Sequence, residues 1–312
     1  MTTSPASPRV PRHLSRNSLP LLRLLAVLTC ACGLVLLSGQ VRADVSWPHM
    51  VPSGDGTRIA YETSGQGDVT LVFVHGWSCD SRYWRAQVEH FSQNYRVIVL
   101  DLAGHGNSGM SRETYSMRAF GQDVRAVAEA TGSEKMILIG HSMGGPVIAE
   151  AARLLPGKVL GLIGVDTFIN LERPMNDEQM EQILAPLRAD FRAGSSDFIR
   201  TIFGPDTAPE LRDWIVADMS SAPPAIAVSA LEAMLMQSHT GEAATMFDEI
   251  RIPVHAIDAD KWPVNFEANR RHMASFDATI LPHTGHFLMM ARPEEFNRAL
   301  ETVLASLTKD AQ

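Results

Sequence analysis

A serine between two glycines stands in the stretch LIGHSMGGPV, which begins at Leu138. Ser142 follows an apolar run and precedes residues that favour a helix, and a strained turn in this setting lifts a serine nucleophile above a sheet. Gly140 and Gly144 would let the strand and the helix approach closely. The alternative is an ordinary strand-to-helix loop that contains a serine. A serine hydroxyl acts as a nucleophile near neutral pH when a base lies within hydrogen-bond reach.

The C-terminal stretch LPHTGHFLMM offers that base. We predict that His286 fills the role, because it follows a predicted strand and a glycine and precedes an apolar turn, a setting that suits a fixed and accessible imidazole. His283 lies three residues earlier, still near the strand end, and is the alternative. The pair of Ser142 with a histidine base indicates nucleophilic catalysis through a covalent intermediate.

A histidine base also needs a carboxylate that orients it and stabilises the imidazolium. We predict Asp260, which follows the apolar run IPVHAI, in this role. The alternatives are Asp258 in the same segment and Asp166 at the end of the preceding predicted strand. The chain order Ser142, Asp260, His286 is the nucleophile–acid–base order typical of an elbow serine.

Short apolar runs alternate with longer helical patterns along most of the chain, which predicts a mainly parallel sheet with helices on both faces. The predicted strands are 57–65, 69–76, 95–104, the run MILIGHS, 159–167, 252–260 and 278–286. The predicted helices include 81–94, 116–131 and a closing helix over 293–307. The fold class is therefore α/β.

The alternation stops between residues 168 and 246, where the pattern is helical throughout. We expect a helical cap inserted after the sixth strand, lying over the carboxyl ends of the strands, where ligands bind in open α/β sheets. An additional helical layer without a substrate role is the alternative. The predicted organisation is a signal peptide over 1–43, a first core part over 44–167, the cap over 168–246 and a second core part over 247–312.

The first 43 residues differ from the remainder. Four arginines without an acidic residue precede a short apolar run, and a small-residue site ends at Ala43. This order is typical of a cleaved secretory signal peptide, so we expect export to the periplasm or the medium. A retained N-terminal anchor is the alternative, although the apolar run is shorter than the ~20 residues of a spanning helix.

Removal of residues 1–43 takes away five arginines and no acidic residue, which moves the formal net charge from −8 to −13. Such an acidic protein is a poor partner for nucleic acid or anionic membranes. Cys79 would be the last cysteine left and is expected to be a buried hydrophobe. Histidines and acidic residues lack metal-ligand spacing, and no phosphate-binding glycine loop is present, so we expect neither metal nor cofactor.

Five motifs together resemble the α/β-hydrolase fold superfamily, in its serine-nucleophile branch with a helical lid. They are VHGWSCDSRYW, LDLAGHGNSG, IGHSMGG, IDADKWP and PHTGHF, spread in the family's order over residues 57–308. One departure is the segment bearing Asp260, which lacks the glycine that usually precedes the acid. The resemblance implies an oxyanion hole made by the backbone N–H groups of Trp77 and Met143, each typically worth about 2.7–4 kcal/mol of barrier.

The resemblance with Ser142 implies an exported carboxylic ester hydrolase that acts through an acyl-enzyme, on small to medium apolar esters. The partner is therefore a small-molecule ester, while the oligomeric state stays open. Alternatives are a cofactor-free haloperoxidase or perhydrolase, a lactonase, a C–C bond hydrolase and, least favoured, a non-catalytic binding protein on this scaffold. The residues expected to line an adaptable apolar pocket are His75, Phe168, Trp214, Met234 and Met236.

Overall fold

A computed structural model describes residues 48–205 and 207–309. The predicted signal peptide over 1–43 lies outside the described residues. One sheet of eight strands forms the centre of the fold. The strands are β1 (His49–Pro52), β2 (Arg58–Ser64), β3 (Thr70–Val74), β4 (Arg96–Leu100), β5 (Met136–His141), β6 (Val159–Val165), β7 (Val254–Ala259) and β8 (Phe276–Leu281).

The strand order across the sheet is β1-β2-β4-β3-β5-β6-β7-β8. The two edge strands β1 and β2 run antiparallel to their neighbours, whereas every pair from β4 to β8 is parallel. All residues of β3 and β5 are buried, which explains their continuous apolar sequences. The predicted mainly parallel sheet is confirmed; β1 was not predicted.

The helices outside the 166–253 segment cover the sheet. Before that segment they are α1 (Arg85–Phe91), which follows a 3₁₀ turn at Ser81–Trp84, α2 (Met117–Ala130) and α3 (Gly144–Leu154); after it they are α9 (Phe266–His272), α10 (Leu288–Ala291) and α11 (Pro293–Lys309). Helix α2 packs on α3, and α11 packs on α1. The predicted bounds of α2 and α11 agree with the structure within two residues, since Ser116 caps α2 and Pro293 opens α11.

Helices fill the segment between β6 and β7. They are α4 (Asp177–Ala189), α5 (Phe191–Thr201), α6 (Pro209–Met219), α7 (Pro224–Thr240) and α8 (Glu242–Thr245), followed by a 3₁₀ turn at Met246–Glu249. We call residues 168–249 the cap segment. Helix α4 begins with a reciprocal capping box between Asn176 and Gln179, which satisfies two backbone N–H groups of its first turn.

None of the described helices alone is both long enough and apolar enough to cross a bilayer. The consecutive helices α6 and α7 reach that length and composition when they are taken together, but they meet at an angle of 99°.

Candidate active site

Ser142 occupies the turn between β5 and α3. Its φ is +53°, a left-handed backbone that costs a non-glycine residue of order 1–3 kcal/mol. Two contacts hold the turn: the N–H of Ser142 donates to the carbonyl of Val165 at 3.0 Å, and Thr167 Oγ1 donates to the carbonyl of Ser142 at 2.7 Å. A Cβ on Gly140 would lie 2.3 Å from the carbonyl oxygen of Gly144, so the close approach requires glycine.

His286 and Asp166 form a close pair beside this serine. Nδ1 of His286 lies 2.6 Å from Oδ2 of Asp166, whose side chain is fully buried. Since a carboxylate is an acceptor, Nδ1 carries the proton and Nε2 is left as the basic nitrogen. The other oxygen of Asp166 accepts a hydrogen bond from the N–H of Ala259 at 3.0 Å.

The backbone of His286 is fixed on both sides. Its N–H donates to the carbonyl of Ile202 in the cap segment at 3.1 Å. Its own carbonyl accepts a hydrogen bond from Nε2 of His141 at 2.8 Å. The imidazole therefore projects from a loop whose position depends both on the cap segment and on the end of β5.

The predicted partner of His286, Asp260, is not the one in the structure. Asp260 is exposed, and its carboxylate accepts the backbone N–H of His283 at 2.9 Å. Asp166, which the sequence left as an alternative, has the position instead. The physical reason is that β6 and β7 are adjacent parallel strands, with Val165 beside Ile257, so acids after either strand reach the same edge of the sheet. His283, the alternative base, is itself exposed.

Asp258 is a second buried carboxyl behind this pair. Its side chain is fully buried, and neither of its oxygens has a hydrogen-bond partner among the described residues. Burial, and then the proximity of Asp166, raises the pKa of Asp258 to about 8. Asp258 is consequently a neutral acid at pH 7, while Asp166 accepts two hydrogen bonds.

Asp258→Asn is expected to reduce the loss of stability that the protein suffers as pH rises. In the unfolded chain this carboxyl ionises near its ordinary pKa of 3.8, whereas in the folded protein it ionises near 8. This carboxyl therefore makes the wild type lose stability between about pH 4 and pH 8. Asparagine, which resembles the protonated acid and does not ionise, removes this loss. Unfolding midpoints of both proteins from pH 4 to pH 9 should diverge in the variant's favour up to pH 8. If the unfolding midpoints of the two proteins changed in parallel with pH, Asp258 would not have a raised pKa in the folded protein.

The two residues predicted to donate to an oxyanion lie next to the serine turn. Met143 is buried and precedes α3. Trp77 follows β3, and Gly76 beside it would bring a Cβ within 3.2 Å of the Cβ of Ser142. The backbone N–H groups of Trp77 and Met143 make no hydrogen bond to another described residue. The indole Nε1 of Trp77 donates to the carbonyl of Ala227 in α7 at 2.7 Å.

A cavity of about 580 Å³ connects the serine turn to the cap segment. Ser142, Asp166 and His286 all line it, together with Trp262 and Pro263 after β7. The apolar part of its wall from the cap segment is Phe168, Ile169, Leu171, Met175, Met234, Leu235, Ala243, Met246 and Phe247. A serine, a histidine and an aspartate thus line one cavity whose wall from the cap segment is largely apolar.

Two of the five predicted pocket residues, Phe168 and Met234, line this cavity. The other three do not, because each has a different environment. Met236 is 41% exposed on the outer side of α7. Trp214 packs on Tyr83, with ring centroids 5.1 Å apart. His75 is buried, accepts the N–H of Leu102 on Nε2 at 3.0 Å and donates from Nδ1 to the carbonyl of Gly76 at 2.8 Å.

Sequence reasoning missed several cavity residues, among them Arg173, Gln237 and Trp262. The motif IDADKWP contains Trp262 and was the available signal for it. Arg173 and Gln237 lie in the cap segment, which carries no motif. Among the described residues, no group of three or more histidine, cysteine, aspartate or glutamate side chains could hold a metal ion.

The fold and this site are those of an α/β hydrolase. The model of the alpha/beta hydrolase family matches residues 71–299, so the chain belongs to that family. A non-heme chloroperoxidase of Streptomyces lividans is 39% identical over 112 residues, 35% of this chain and 41% of that protein. An acetyltransferase component of the acetoin cleaving system of Cupriavidus necator is 34% identical over 119 residues, 38% of this chain and 32% of that protein. The chain therefore spans less than half the length of these two relatives.

Among solved structures, a thermophilic esterase from Thermogutta terrifontis is similar over most of its length. The TM-score is 0.73 at 25% sequence identity, and the match covers 84% of this chain and 99% of the esterase.

Proposed function

We propose that the protein is a serine hydrolase that cleaves carboxylic esters of small to medium, largely apolar substrates through an acyl-enzyme. The observation that carries this proposal is the hydrogen bond between His286 and the buried Asp166, in the same cavity as the strained Ser142. A nucleophile, a base with a defined tautomer and an orienting carboxylate are together the requirements for acyl transfer.

The proposed reaction begins when Oγ of Ser142 attacks the ester carbonyl and Nε2 of His286 takes the hydroxyl proton. The C–O bond to the alcohol then breaks, and the alcohol leaves with that proton. Water subsequently attacks the acyl-enzyme, again giving its proton to His286, and the carboxylic acid departs as Ser142 recovers its own. The backbone N–H groups of Trp77 and Met143 would stabilise the oxyanion in both steps.

A perhydrolase or haloperoxidase activity is the second candidate. The similarity to a non-heme chloroperoxidase over 112 residues favours it, and the same three side chains could transfer an acyl group to peroxide instead of water. Peroxide-dependent oxidation of a halide in acetate buffer, compared with ester hydrolysis by the same preparation, would distinguish the two activities. Lactone and C–C bond hydrolysis would use the same groups on other substrates.

We also propose that residues 1–43 direct export and are removed after Ala43. The support is the order of arginines, short apolar run and small-residue site in the sequence. N-terminal sequencing of the protein recovered from the periplasm and medium of expressing bacteria should begin at Asp44. An intact N-terminus on membrane-bound protein would instead indicate a retained anchor.

Hydrolysis of p-nitrophenyl esters from acetate to dodecanoate is the direct test of the esterase proposal. With a cavity of about 580 Å³, we expect turnover to be greatest for short to medium acyl chains and to decline for the longest. Mass spectrometry after rapid quenching should find the acyl group on the peptide that contains Ser142. Folded protein without turnover on any ester in the series would overturn the proposal.

A further inference from the structure

Arg173 is an unpaired cation in the wall of the catalytic cavity. It is exposed, it lines the cavity, and its guanidinium has no ion pair or hydrogen-bond partner among the described residues. Its acidic neighbour Glu172 is already bound to Arg271 and His272. The acidic residue that lines the cavity is Asp166, which is bound to His286. An anion that enters the cavity would therefore meet a free guanidinium.

Gln237 supplies a second unsatisfied polar group to the same cavity. It lies on α7, its side chain is more than nine-tenths buried, and it lines the cavity. Its Oε1 is buried and has no hydrogen-bond partner among the described residues. A buried acceptor without a donor costs about 1–3 kcal/mol, a cost that a bound hydroxyl or amide N–H would remove.

We propose that the substrate carries an ionised carboxylate, which Arg173 binds, and a hydroxyl or amide N–H, which donates to Gln237. The inference rests on the proposed esterase function and specifies its substrate class. The apolar residues that line the same cavity, such as Phe168, Met234 and Met246, would enclose the methylene chain that links the carboxylate to the ester. Guanidinium suits this role because it binds carboxylate through two parallel hydrogen bonds.

Two pairs of matched esters test the carboxylate. Monomethyl adipate carries it on the acyl side, and methyl heptanoate is the neutral counterpart. The ion 4-acetoxybutanoate carries it on the alcohol side, and pentyl acetate is its neutral counterpart. Hydrolysis of each is followed in a pH-stat at pH 7.5 and low salt. The ratio of kcat/KM for the charged ester to that for the neutral ester measures the preference.

Arg173→Gln should lower that ratio about tenfold in one of the two pairs, because kcat/KM falls far more for the charged ester than for the neutral one. The affected pair identifies the side of the ester bond that carries the carboxylate. Arg173→Lys should restore part of the ratio, and salt should weaken it in the wild type. The control is Arg200→Gln, which removes an equally exposed arginine of the cap segment that does not line the cavity.

Gln237→Met tests the second contact with methyl 6-hydroxyhexanoate and methyl heptanoate. The variant should reduce kcat/KM for the hydroxylated ester several-fold more than kcat/KM for methyl heptanoate. An equal loss on both esters would mean that Gln237 acts through packing, which would overturn its role.

The outcomes also separate this inference from the proposed function. If the neutral esters are hydrolysed and the ratio in Arg173→Gln equals that of the wild type in both pairs, the carboxylate inference is wrong and the esterase proposal survives. If none of the four esters, and no p-nitrophenyl ester, is hydrolysed by folded protein, the esterase proposal fails and the inference fails with it.

Discussion

If the protein acts as proposed, Ser142→Ala is expected to lower kcat for ester hydrolysis by about a million-fold, as loss of the nucleophile does in a serine protease. The hydroxyl cannot be replaced by a neighbour, because the left-handed turn at φ +53° presents this one side chain to the cavity. Single-turnover measurements with p-nitrophenyl acetate should detect no burst of nitrophenol. The variant should remain folded, since alanine is smaller and occupies the same backbone.

Ser142→Gly is the matched control for that experiment. It should be equally inactive and should unfold at a higher temperature than Ser142→Ala, because glycine adopts positive φ without the steric cost. A kcat for either variant within about tenfold of the wild type would contradict the assignment of Ser142 as the nucleophile. Loss of activity together with loss of the folded state would be examined by circular dichroism before any kinetic conclusion.

Asp166→Asn is expected to lower kcat by about ten-thousand-fold, the effect that the same change has on a serine protease triad. Asparagine removes the negative charge that stabilises the imidazolium. Its amide NH₂ can also donate to Nδ1 of His286, which would leave the imidazole proton on Nε2, the nitrogen that must accept the serine proton. Because the carboxylate of Asp166 is fully buried and 2.6 Å from Nδ1, water cannot substitute for it. The measurement is kcat for a short p-nitrophenyl ester at pH 7.5.

Asp260→Asn provides the contrast. Asp260 is exposed and accepts the N–H of His283, so this variant should retain kcat within a few-fold of the wild type. The two variants make the same chemical change at the carboxyl edge of the same sheet. If Asp260→Asn were the inactive one, the structural assignment would be wrong and the assignment from chain order would be right.

The sequence predicted the parallel strands of the sheet, although not the edge strand β1, and it placed Ser142 and His286 at the strand ends where the structure has them. Ser142 is marked by glycines that only a tight strand–helix turn needs, and His286 by its position after the last strand. The acid could not be placed in the same way. Asp166 follows β6 and Asp260 follows the adjacent parallel strand β7, and which carboxylate reaches the imidazole depends on the backbone of each strand end, which the sequence does not display.

The cavity was less predictable because it depends on how the cap segment lies on the core. Phe168 and Met234 were expected in its wall and are there. Trp214 and Met236 also have apolar side chains but do not line the cavity: Trp214 packs on Tyr83, and Met236 is exposed. The apolar composition of the cap segment thus indicated that some of its side chains are buried. It did not show which of them pack in the core and which line the cavity.

The hydrogen bond from the indole of Trp77 to Ala227 ties the loop after β3 to α7. Phe191 and Phe198 of α5 pack edge-on against the same indole, so this residue is held by two helices of the cap segment. Its main chain is also the proposed oxyanion donor. A substrate bulky enough to displace α7 would also displace the backbone N–H of Trp77. We therefore expect oversized substrates to be bound but converted slowly, with a lower kcat rather than a higher KM.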